Sequence, residues 1–320
     1  MIIEPRHLVQ VWAIVETGGM TEAAALIGAT QPGLSRTVAY LEQRLKEPLF
    51  MRGRRPLEPT PLGRDLAEQG AAIRHAVQRA RNAVETYTRG EWGGVRIGGT
   101  PFFMDALISS MIGAFQKIRP NVRVAQSYGY TGELAAKIRA GQLDMAVCPL
   151  ELLDVESGLS FEQILPGRNV IACRKDHPLL QTARFHPADI LNYSWIEPPA
   201  GSPLSADLQT ALIGLGAERV RISYSGASLA GILGHLHSSN SLAVLPFSVV
   251  FAQRRFNEIV ELPLALSHPP RALGILQSTT MPPSPASLQL KMHILGEFSR
   301  LKAQMQAAHT DDASHPGMGL

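Results

Sequence analysis

The chain has 320 residues, and two or more folding units are expected because a single hydrophobic core seldom grows beyond about 250–300 residues. Apolar residues make up 45% of the chain and charged residues 18%, which is typical of a soluble globular protein and argues against extensive disorder. The net charge is only +3, but residues 31–64 carry seven basic and three acidic side chains. Positive charge is therefore concentrated near the N-terminus, as expected for a surface that binds an anionic polymer.

The apolar segments indicate neither a secretion signal nor a membrane anchor. The N-terminus lacks a basic leader followed by an apolar stretch, and the longest apolar run, residues 242–252, is too short to span a bilayer. Two cysteines, Cys148 and Cys173, cannot form a disulfide framework. We therefore expect a cytoplasmic protein without membrane association, and no residue pattern predicts a cofactor.

Three short helices are predicted in the first 45 residues. The first ends at Gly18–Gly19, and its apolar residues repeat at helical spacing at Leu8, Val11, Trp12 and Val15. The second has Thr21 as its N-cap and continues to Ile27, and the third has Thr30 as its N-cap. Pro32 is accepted in the first turn of the third helix, where its missing N–H costs nothing.

The third predicted helix has one buried and one outward face. Its apolar residues at positions 34, 38, 41 and 45 form a single stripe, so the opposite face presents Gln31, Ser35, Arg36, Ala39, Tyr40 and Gln43. A short helix, a tight turn and such a helix are typical of a helix-turn-helix, whose second helix enters the DNA major groove. Arg36 could then bind guanine or phosphate, Gln31 adenine, and Ser35 either. A plain three-helix bundle with a solvated face remains open, because spacing alone does not separate the two.

Residues 49–60 predict a short hairpin with a basic, glycine-containing tip, which we call the wing. Its arginines would neutralise phosphates beside the third helix and make binding steeply dependent on salt. A solvated basic turn is the alternative. The predicted DNA-binding residues are Thr21, Gln31, Pro32, Ser35, Arg36, Tyr40, Arg52, Arg54 and Arg55.

A long helix is predicted from the N-cap Thr60 and Pro61 to about Thr88. Apolar residues recur along it at a seven-residue spacing with a neighbouring seam, which predicts a short coiled coil and a homodimer. The predicted dimerisation residues are Leu66, Ile73, Val77, Ala80 and Val84. Two-fold symmetry in the protein would match a dyad in the DNA.

Several strings in this region closely resemble the LysR family of transcriptional regulators. They are Thr21-Glu22-Ala23-Ala24, Gln31-Pro32-Gly33-Leu34-Ser35-Arg36, Leu41-Glu42 and Pro48-Leu49-Phe50 through Thr60-Pro61-Leu62-Gly63. Any one string is weak, but their fixed order is specific, and the resemblance extends to about Leu301. Gly33, where the family usually has Ala or Ser, and Ala39, where it often has a basic residue, are departures that bear on the target sequence.

The resemblance implies an α/β protein in three parts. They are a winged helix-turn-helix DNA-binding domain in residues 1–60, a linker (dimerisation) helix in 61–91 and a periplasmic-binding-protein-like effector domain in 92–305, with a disordered tail in 306–320. The effector domain would have two α/β subdomains, I in residues 92–166 and 269–305 and II in 167–268. The family further implies a homotetramer built from dimers and bound to an interrupted inverted repeat in double-stranded DNA, with RNA polymerase as a partner if the protein activates transcription.

The pattern after residue 92 independently predicts alternating strands and helices, as in a parallel α/β sheet. Strands are predicted at residues 95–97, 122–124, 143–147, 170–173, 220–224, 242–245 and 271–277. Helices are predicted at residues 101–118, 132–140, 204–215, 228–237 and 286–301. Crossings near 166–167 and 266–268 would join two units around a cleft.

Hydroxyl residues stand at several predicted strand-to-helix junctions, where ligands bind in open α/β sheets. Helix N-termini aimed at one cleft favour an anion or carboxylate, although plain helix capping is the alternative. The predicted effector-binding residues are Thr100, Pro101, Phe102, Thr131, Ser202 and Ser228, of which Thr100, Thr131 and Ser202 match pocket positions of the family. Phe102 and Phe103 could form an apolar wall, with core packing as the other role for at least one of them.

Three functions from different classes are compatible with these patterns to different degrees. We predict a sequence-specific DNA-binding transcriptional regulator controlled by a small-molecule, anionic or carboxylate effector, and not an enzyme. A small-molecule transport protein with an incidental N-terminal bundle would require an export signal. An enzyme would require a nucleophile and base at a recognisable spacing, and a metal at His235 and His237 is not expected because two residues apart on a helix they diverge. Cys148 and Cys173 could form a redox switch, as in peroxide-sensing relatives, or be isolated buried thiols.

Overall fold

The computed structural model describes residues 3–51, 56–88, 93–150, 158–182, 185–215, 221–254, 258–266 and 269–314. They form two compact units, of which the first comprises Met1–Glu91 with Arg139–Gln142 and the second comprises Trp92–Ile138 with Leu143–Leu320. The first unit is helical and the second contains two sheets.

The N-terminal unit is built from four helices, α1 Pro5–Thr17, α2 Met20–Ile27, α3 Gln31–Leu45 and α4 Pro61–Thr88. Their apolar faces form one core, in which Ile14, Leu34 and Leu41 are almost fully buried. Helix α1 ends at Gly18, whose φ of 71° places it in the left-handed region that favours glycine. The predicted helix order and the predicted buried stripe of α3 are thus confirmed.

The start of α2 differs from the prediction. The helix begins at Met20 with Gly19 as its N-cap, so Thr21 lies inside the first turn rather than before it. A Cβ on Gly19 would lie 2.0 Å from a carboxylate oxygen of Glu22. The glutamate therefore folds back over the helix start, and a residue without a side chain occupies the N-cap.

Two glycines in α4 allow other backbone segments to approach it closely. A Cβ on Gly63 would lie 2.1 Å from the carbonyl oxygen of Leu49, and one on Gly70 would lie 2.0 Å from that of Leu8. Because no side chain fits in either place, α4 packs directly on α1 and on the strand that leads into the wing.

The C-terminal unit has ten strands in two five-stranded sheets. Sheet A has the order β2-β1-β3-β10-β4 and sheet B the order β7-β6-β8-β5-β9. The strands are β1 Gly94–Gly99, β2 Arg123–Tyr128, β3 Met145–Leu150, β4 Leu159–Pro166, β5 Asn169–Arg174, β6 Trp195–Glu197, β7 Ile222–Ser225, β8 Leu242–Pro246, β9 Ile259–Ala265 and β10 Ala272–Ser278. The helices are α5 Pro101–Phe103, α6 Ser109–Ile118, α7 Thr131–Arg139, α8 Pro178–Gln181, α9 Pro203–Gly214, α10 Leu229–Ser238, α11 Phe247–Gln253 and α12 Pro285–Ser314, with a π-helical turn at Met104–Ile108 and a 3₁₀ helix at Pro187–Asn192.

Each sheet is mixed rather than wholly parallel. In sheet A, β2, β1 and β3 run parallel while β10 and β4 run antiparallel to their neighbours, and in sheet B, β7, β6 and β8 run parallel while β5 pairs antiparallel with β8 and β9. The prediction of parallel sheets holds for the three consecutive βα units of each sheet. The antiparallel pairing arises at the two crossings, because the chain passes from sheet A into sheet B at β5 and returns to sheet A at β10.

The two crossing segments are held together by backbone contact. Gly167 N donates a hydrogen bond to Arg271 O at 2.8 Å, and a Cβ on Gly167 would lie 2.4 Å from the same oxygen. Glycine is therefore needed where the chain passes from β4 to β5.

Strands β4, β6 and β9 were not predicted. Strand β6 has only three residues, and β4 and β9 lie at sheet edges with half-exposed sequences. Strand β9 contains Pro263, which an edge strand tolerates because one side of its backbone has no strand partner.

The C-terminal helix is longer than predicted. We expected it to end near Leu301 and a disordered tail to occupy residues 306–320, but α12 continues to Ser314. Residues 304–308 are Gln, Met, Gln, Ala and Ala, all compatible with a helix, and Met305 packs against the core of the unit. The prediction was therefore wrong as far as Ser314, and residues 315–320 lie outside the described residues.

Candidate functional sites

The outward face of α3 is exposed as the sequence predicts. Thr30 caps the helix by accepting a hydrogen bond from Gly33 N at 3.3 Å, and the apolar stripe on the opposite face is buried. The side chains on the outward face are all exposed, namely Gln31, Pro32, Ser35, Arg36, Ala39, Tyr40 and Gln43. We call Gln31, Ser35, Arg36 and Tyr40 the recognition face.

Three contacts orient the basic and aromatic groups of this region. Arg36 Nε donates to Pro32 O at 3.3 Å, which leaves its terminal guanidinium nitrogens directed along an exposed helix. The guanidinium of Arg44 lies 5.7 Å from the centre of the Tyr40 ring, and the His7 ring lies 5.9 Å from it. These two ring contacts hold the Tyr40 side chain in place at the surface, where 42% of the residue is exposed.

The base of the wing forms the predicted hairpin. Phe50 and Pro59 form an antiparallel bridge, Met51 N donates to Glu58 O at 2.8 Å, and Thr60 N donates to Leu49 O at 2.9 Å. The predicted DNA-binding residues Arg52, Arg54 and Arg55 lie outside the described residues.

The predicted dimerisation residues do not all lie on one exposed stripe. Leu66 is half-buried and packs against the core of its own unit. Val77 and Val84 are 48% and 63% exposed, Ala80 is exposed, and Ile73 is half-buried. Among the described side chains of α4, exposed apolar surface is therefore found at Val77 and Val84, in the second half of the helix.

A cavity lies in the C-terminal unit where strands of both sheets end. Its volume is about 860 Å³ with the open mouth included. Most of its wall is apolar, and the larger contributors include Pro101, Phe102, Phe103, Pro199, Phe247 and Met305. Phe102 and Phe103 also belong to the hydrophobic core, so both named roles apply to them.

Four of the six predicted effector residues line this cavity, namely Thr100, Pro101, Phe102 and Ser202. Ser202 caps α9 by accepting from Ser205 N at 3.2 Å. Thr100 occupies the N-cap position before Pro101 but makes no capping hydrogen bond, and its buried Oγ1 has no hydrogen-bond partner in the described part of the chain. The pKa of the nearby Tyr130 phenol is raised by burial, which a hydrogen bond with Ser202 opposes.

The other two predicted residues lie off the cavity wall. Thr131 is the first residue of α7 rather than its N-cap, and its hydroxyl donates to Pro149 O at 3.0 Å. Ser228 caps α10 by accepting from Gly231 N at 3.4 Å and is not part of the cavity lining. The contacts of Ser228 are those of plain helix capping, which the sequence analysis named as the alternative to effector binding.

Two arginines of the cavity wall were missed by sequence reasoning. Arg271 Nη1 donates to both carboxylate oxygens of the buried Asp207, at 2.9 and 2.7 Å, and Arg168 pairs with Glu261. The Arg168 guanidinium also lies 4.1 Å from the centre of the Phe247 ring. Both arginines lie next to the predicted crossings between the sheets, and that position in the sequence could have indicated that they border the cavity.

The cysteines do not form a disulfide. Both are buried, Cys148 in β3 and Cys173 in β5, which belong to different sheets. Burial raises the pKa of each thiol to about 12, against opposing effects of the Thr131 hydrogen bond at Cys148 and the Arg174 charge at Cys173. Thiols held in this state are poor nucleophiles at neutral pH.

Within the described residues, no helix combines the length and the apolar character that crossing a membrane requires.

Comparisons with known proteins place the chain in a family. Residues 88–299 match the family described as "LysR substrate binding domain", and residues 5–64 match "Bacterial regulatory helix-turn-helix protein, lysR family". The chain is 29% identical over 295 residues to the HTH-type transcriptional regulator GalR of Pseudomonas putida, covering 90% of this chain and 72% of the relative. It is 27% identical over 299 residues to the SDS degradation transcriptional activation protein of a Pseudomonas species, covering 92% and 95%.

Solved structures show the same fold. A full-length OxyR variant from Pseudomonas aeruginosa superposes with a TM-score of 0.59 at 20% identity, covering 92% of this chain and 95% of the other. Full-length CbnR in complex with its target DNA superposes with a TM-score of 0.50 at 19% identity, covering 91% and 99%.

Fold and comparisons together define a DNA-binding transcriptional regulator with a C-terminal effector-binding domain, which is not an enzyme. The chain belongs to the LysR family.

Proposed function

We propose that the chain is a sequence-specific regulator whose recognition face enters the major groove and whose activity is controlled by an anionic or carboxylate effector in the cavity. The observation that carries the proposal is that Gln31, Ser35 and Arg36 are all exposed on one face of α3. It lies opposite a stripe that the core buries, so these polar groups are available to base edges and phosphates. Because such a regulator must reach chromosomal DNA, the proposal includes cytoplasmic localisation.

The proposed assembly is a homodimer through α4 that associates further to a homotetramer and binds an interrupted inverted repeat. Val77 and Val84 support it, because they expose apolar surface on a 28-residue helix. Paired α4 helices would cover that surface and give the two recognition faces a two-fold relation. RNA polymerase would be a further partner if the protein activates transcription.

The effector proposal is supported by the N-terminus of α9 at Ser202 and by the Thr100 hydroxyl, which has no hydrogen-bond partner among the described residues; both line the cavity. A helix N-terminus carries about half a positive charge and unpaired N–H groups. Effector binding can shift the free energy of DNA binding only by the difference between the effector's affinities for the DNA-binding and non-binding conformations of the protein, which is typically about 1–3 kcal/mol.

A DNA-binding titration with variants tests the recognition face. We expect Arg36→Ala to weaken binding to the upstream region of the protein's own gene by about 1–3 kcal/mol if it contacts a base. Arg52→Ala should weaken binding on all sequences and lower the slope of affinity against salt. Arg123→Ala, an exposed arginine in β2, is the matched control. Wild-type binding by both Arg36→Ala and Arg52→Ala would refute the proposed surface.

A further inference from the structure

Both arginines of the cavity wall are already paired with carboxylates. The Arg271 side chain is 15% exposed, and its Nη1 donates to the two carboxylate oxygens of Asp207, whose side chain is 3% exposed. Asn169 Nδ2 donates to Asp207 Oδ2 at 2.6 Å. Asp207 therefore has no access to bulk water and lies behind two cavity-lining residues that bind it.

The second pair repeats this arrangement with a different acid. Arg168 on the cavity wall pairs with Glu261 of β9, and its guanidinium lies over the Phe247 ring. Two cations and two carboxylates thus cancel at the wall. An entering ligand meets little net charge from these side chains, although each arginine could bind a carboxylate if its partner were neutral.

The positive potential that remains is small and local. It comes from two helix N-termini on the cavity wall, that of α9, which starts after Ser202 and has 12 residues, and that of the continuous helical stretch that starts after Thr100. Each amounts to about half an elementary charge. Thr100 lines the same cavity, is 7% exposed, and its Oγ1 has no hydrogen-bond partner among the described residues. A buried hydroxyl without a partner costs free energy, which a ligand oxygen at this place would recover.

We propose that Asp207 is a specificity-determining residue, which by holding Arg271 restricts the effector to compounds with an apolar body and a single negative charge. One anionic group is matched by the helix N-termini and the Thr100 hydroxyl. A second would be buried in the apolar remainder of the wall without a cation, and an unpaired buried charge is strongly unfavourable. The inference rests on the proposed function, since it assumes that the cavity binds the effector.

The first experiment measures binding of matched probes to the full-length wild-type protein by calorimetric titration. One series is octanoate, octanedioate and octanamide, and the other is benzoate, benzene-1,4-dicarboxylate and benzamide. In at least one series we expect the monoanion to bind about tenfold or more tightly than the dianion. A dianion that binds as tightly as its monoanion in both series, or no binding by either monoanion, would overturn the proposal.

The second experiment changes the counter-charge. Asp207→Asn removes the buried negative charge that faces Arg271, so we expect the preference for the monoanion to shrink by about tenfold or to reverse. Removing both charges with the double variant Asp207→Asn, Arg271→Gln should restore the wild-type preference. Asp144→Asn, which breaks the ion pair with Arg96 away from the cavity, should leave the preference unchanged.

The double variant separates electrostatics from a merely structural role. A structural role predicts that the double variant loses at least as much binding as the single variant, and that result would overturn the proposal. If Asp207→Asn does not fold, the wild-type series and the double variant decide. DNA binding by the wild type, with its loss in Arg36→Ala, is measured separately, so failure of this inference is distinct from failure of the proposed function.

Discussion

Replacing Gly70 by alanine should destabilise the N-terminal unit, although alanine is the better helix former. The added Cβ would lie 2.0 Å from Leu8 O and 2.8 Å from Trp12 Cβ, whereas real contacts of this kind essentially never fall below 3.0 Å. The obstacle is a backbone oxygen, so no side-chain rotation relieves it. Helix α1 would have to move away from α4 by about 1 Å.

The expected magnitude follows from two opposing effects. Overpacking of a core contact costs about 1–3 kcal/mol, and alanine in a helix interior gains about 1 kcal/mol over glycine. Because the backbone contact is severe, we expect a net loss of about 1–2 kcal/mol. Gly113→Ala in α6 is the control, since a Cβ there meets nothing within 4 Å and should stabilise by up to about 1 kcal/mol.

Hydrogen exchange followed by mass spectrometry reports each unit separately. Peptides from α1 should lose about tenfold in protection in Gly70→Ala, and peptides from α6 should gain protection in Gly113→Ala. DNA affinity should fall in the first variant only, because α1 packs on α3 and α4 in the same core. Equal stabilisation by both substitutions would show that the close approach of α1 to Gly70 is wrong.

Three further predictions concern buried groups. Thr60→Val should lower the free energy of unfolding by about 1–2 kcal/mol, because it removes the hydrogen bond from Gly63 N at 3.1 Å and the hydrogen bond to Pro48 O at 2.8 Å. Thr100→Val removes no hydrogen bond among the described residues and should leave stability unchanged or raise it. Denaturant titration measures both effects. Cys148 and Cys173, with pKa values raised to about 12, should resist iodoacetamide at pH 8 in the native protein and react after unfolding, and native alkylation seen by mass spectrometry would contradict their burial. Burial lowers the pKa of His177 below 6.5, so as the pH falls the unfolded chain binds a proton before the native protein does. The stability contributed by neutral His177 should be complete above pH 6.5 and be lost as the pH falls through the lower native pKa. In His177→Gln, stability should depend less on pH over this range.

The helical pattern of the N-terminal domain could be predicted because it depends on neighbours in sequence. The buried stripe of α3 repeats every three or four residues, and Thr30 caps a helix that starts one residue later. Thr21 was misplaced by the same kind of reasoning, because Glu22 folds back on Gly19 and a glycine takes the N-cap. Local signals therefore located the helix but not its first residue.

The cavity could be predicted only in part for a similar reason. Ser202 was found because it caps the helix that follows it. Arg271 and Asp207 are 64 residues apart and Met305 follows the predicted end of α12, so no local pattern connects them with the cavity.

The amino-acid sequence by itself determined the order of the N-terminal helices, seven of the ten strands and the resemblance to the family. Helical periodicity, caps and the ordered strings around Pro32 and Phe50 act within a few residues of chain, where spacing alone fixes which side chains share a face. Only the tertiary structure decided that Thr100 Oγ1 is buried without a hydrogen-bond partner among the described residues, that Asp207 pairs with Arg271, and that Gly70 lies against α1. Those facts depend on distances between distant segments, which are set when the sheets and helices pack and not by the residues that flank each position.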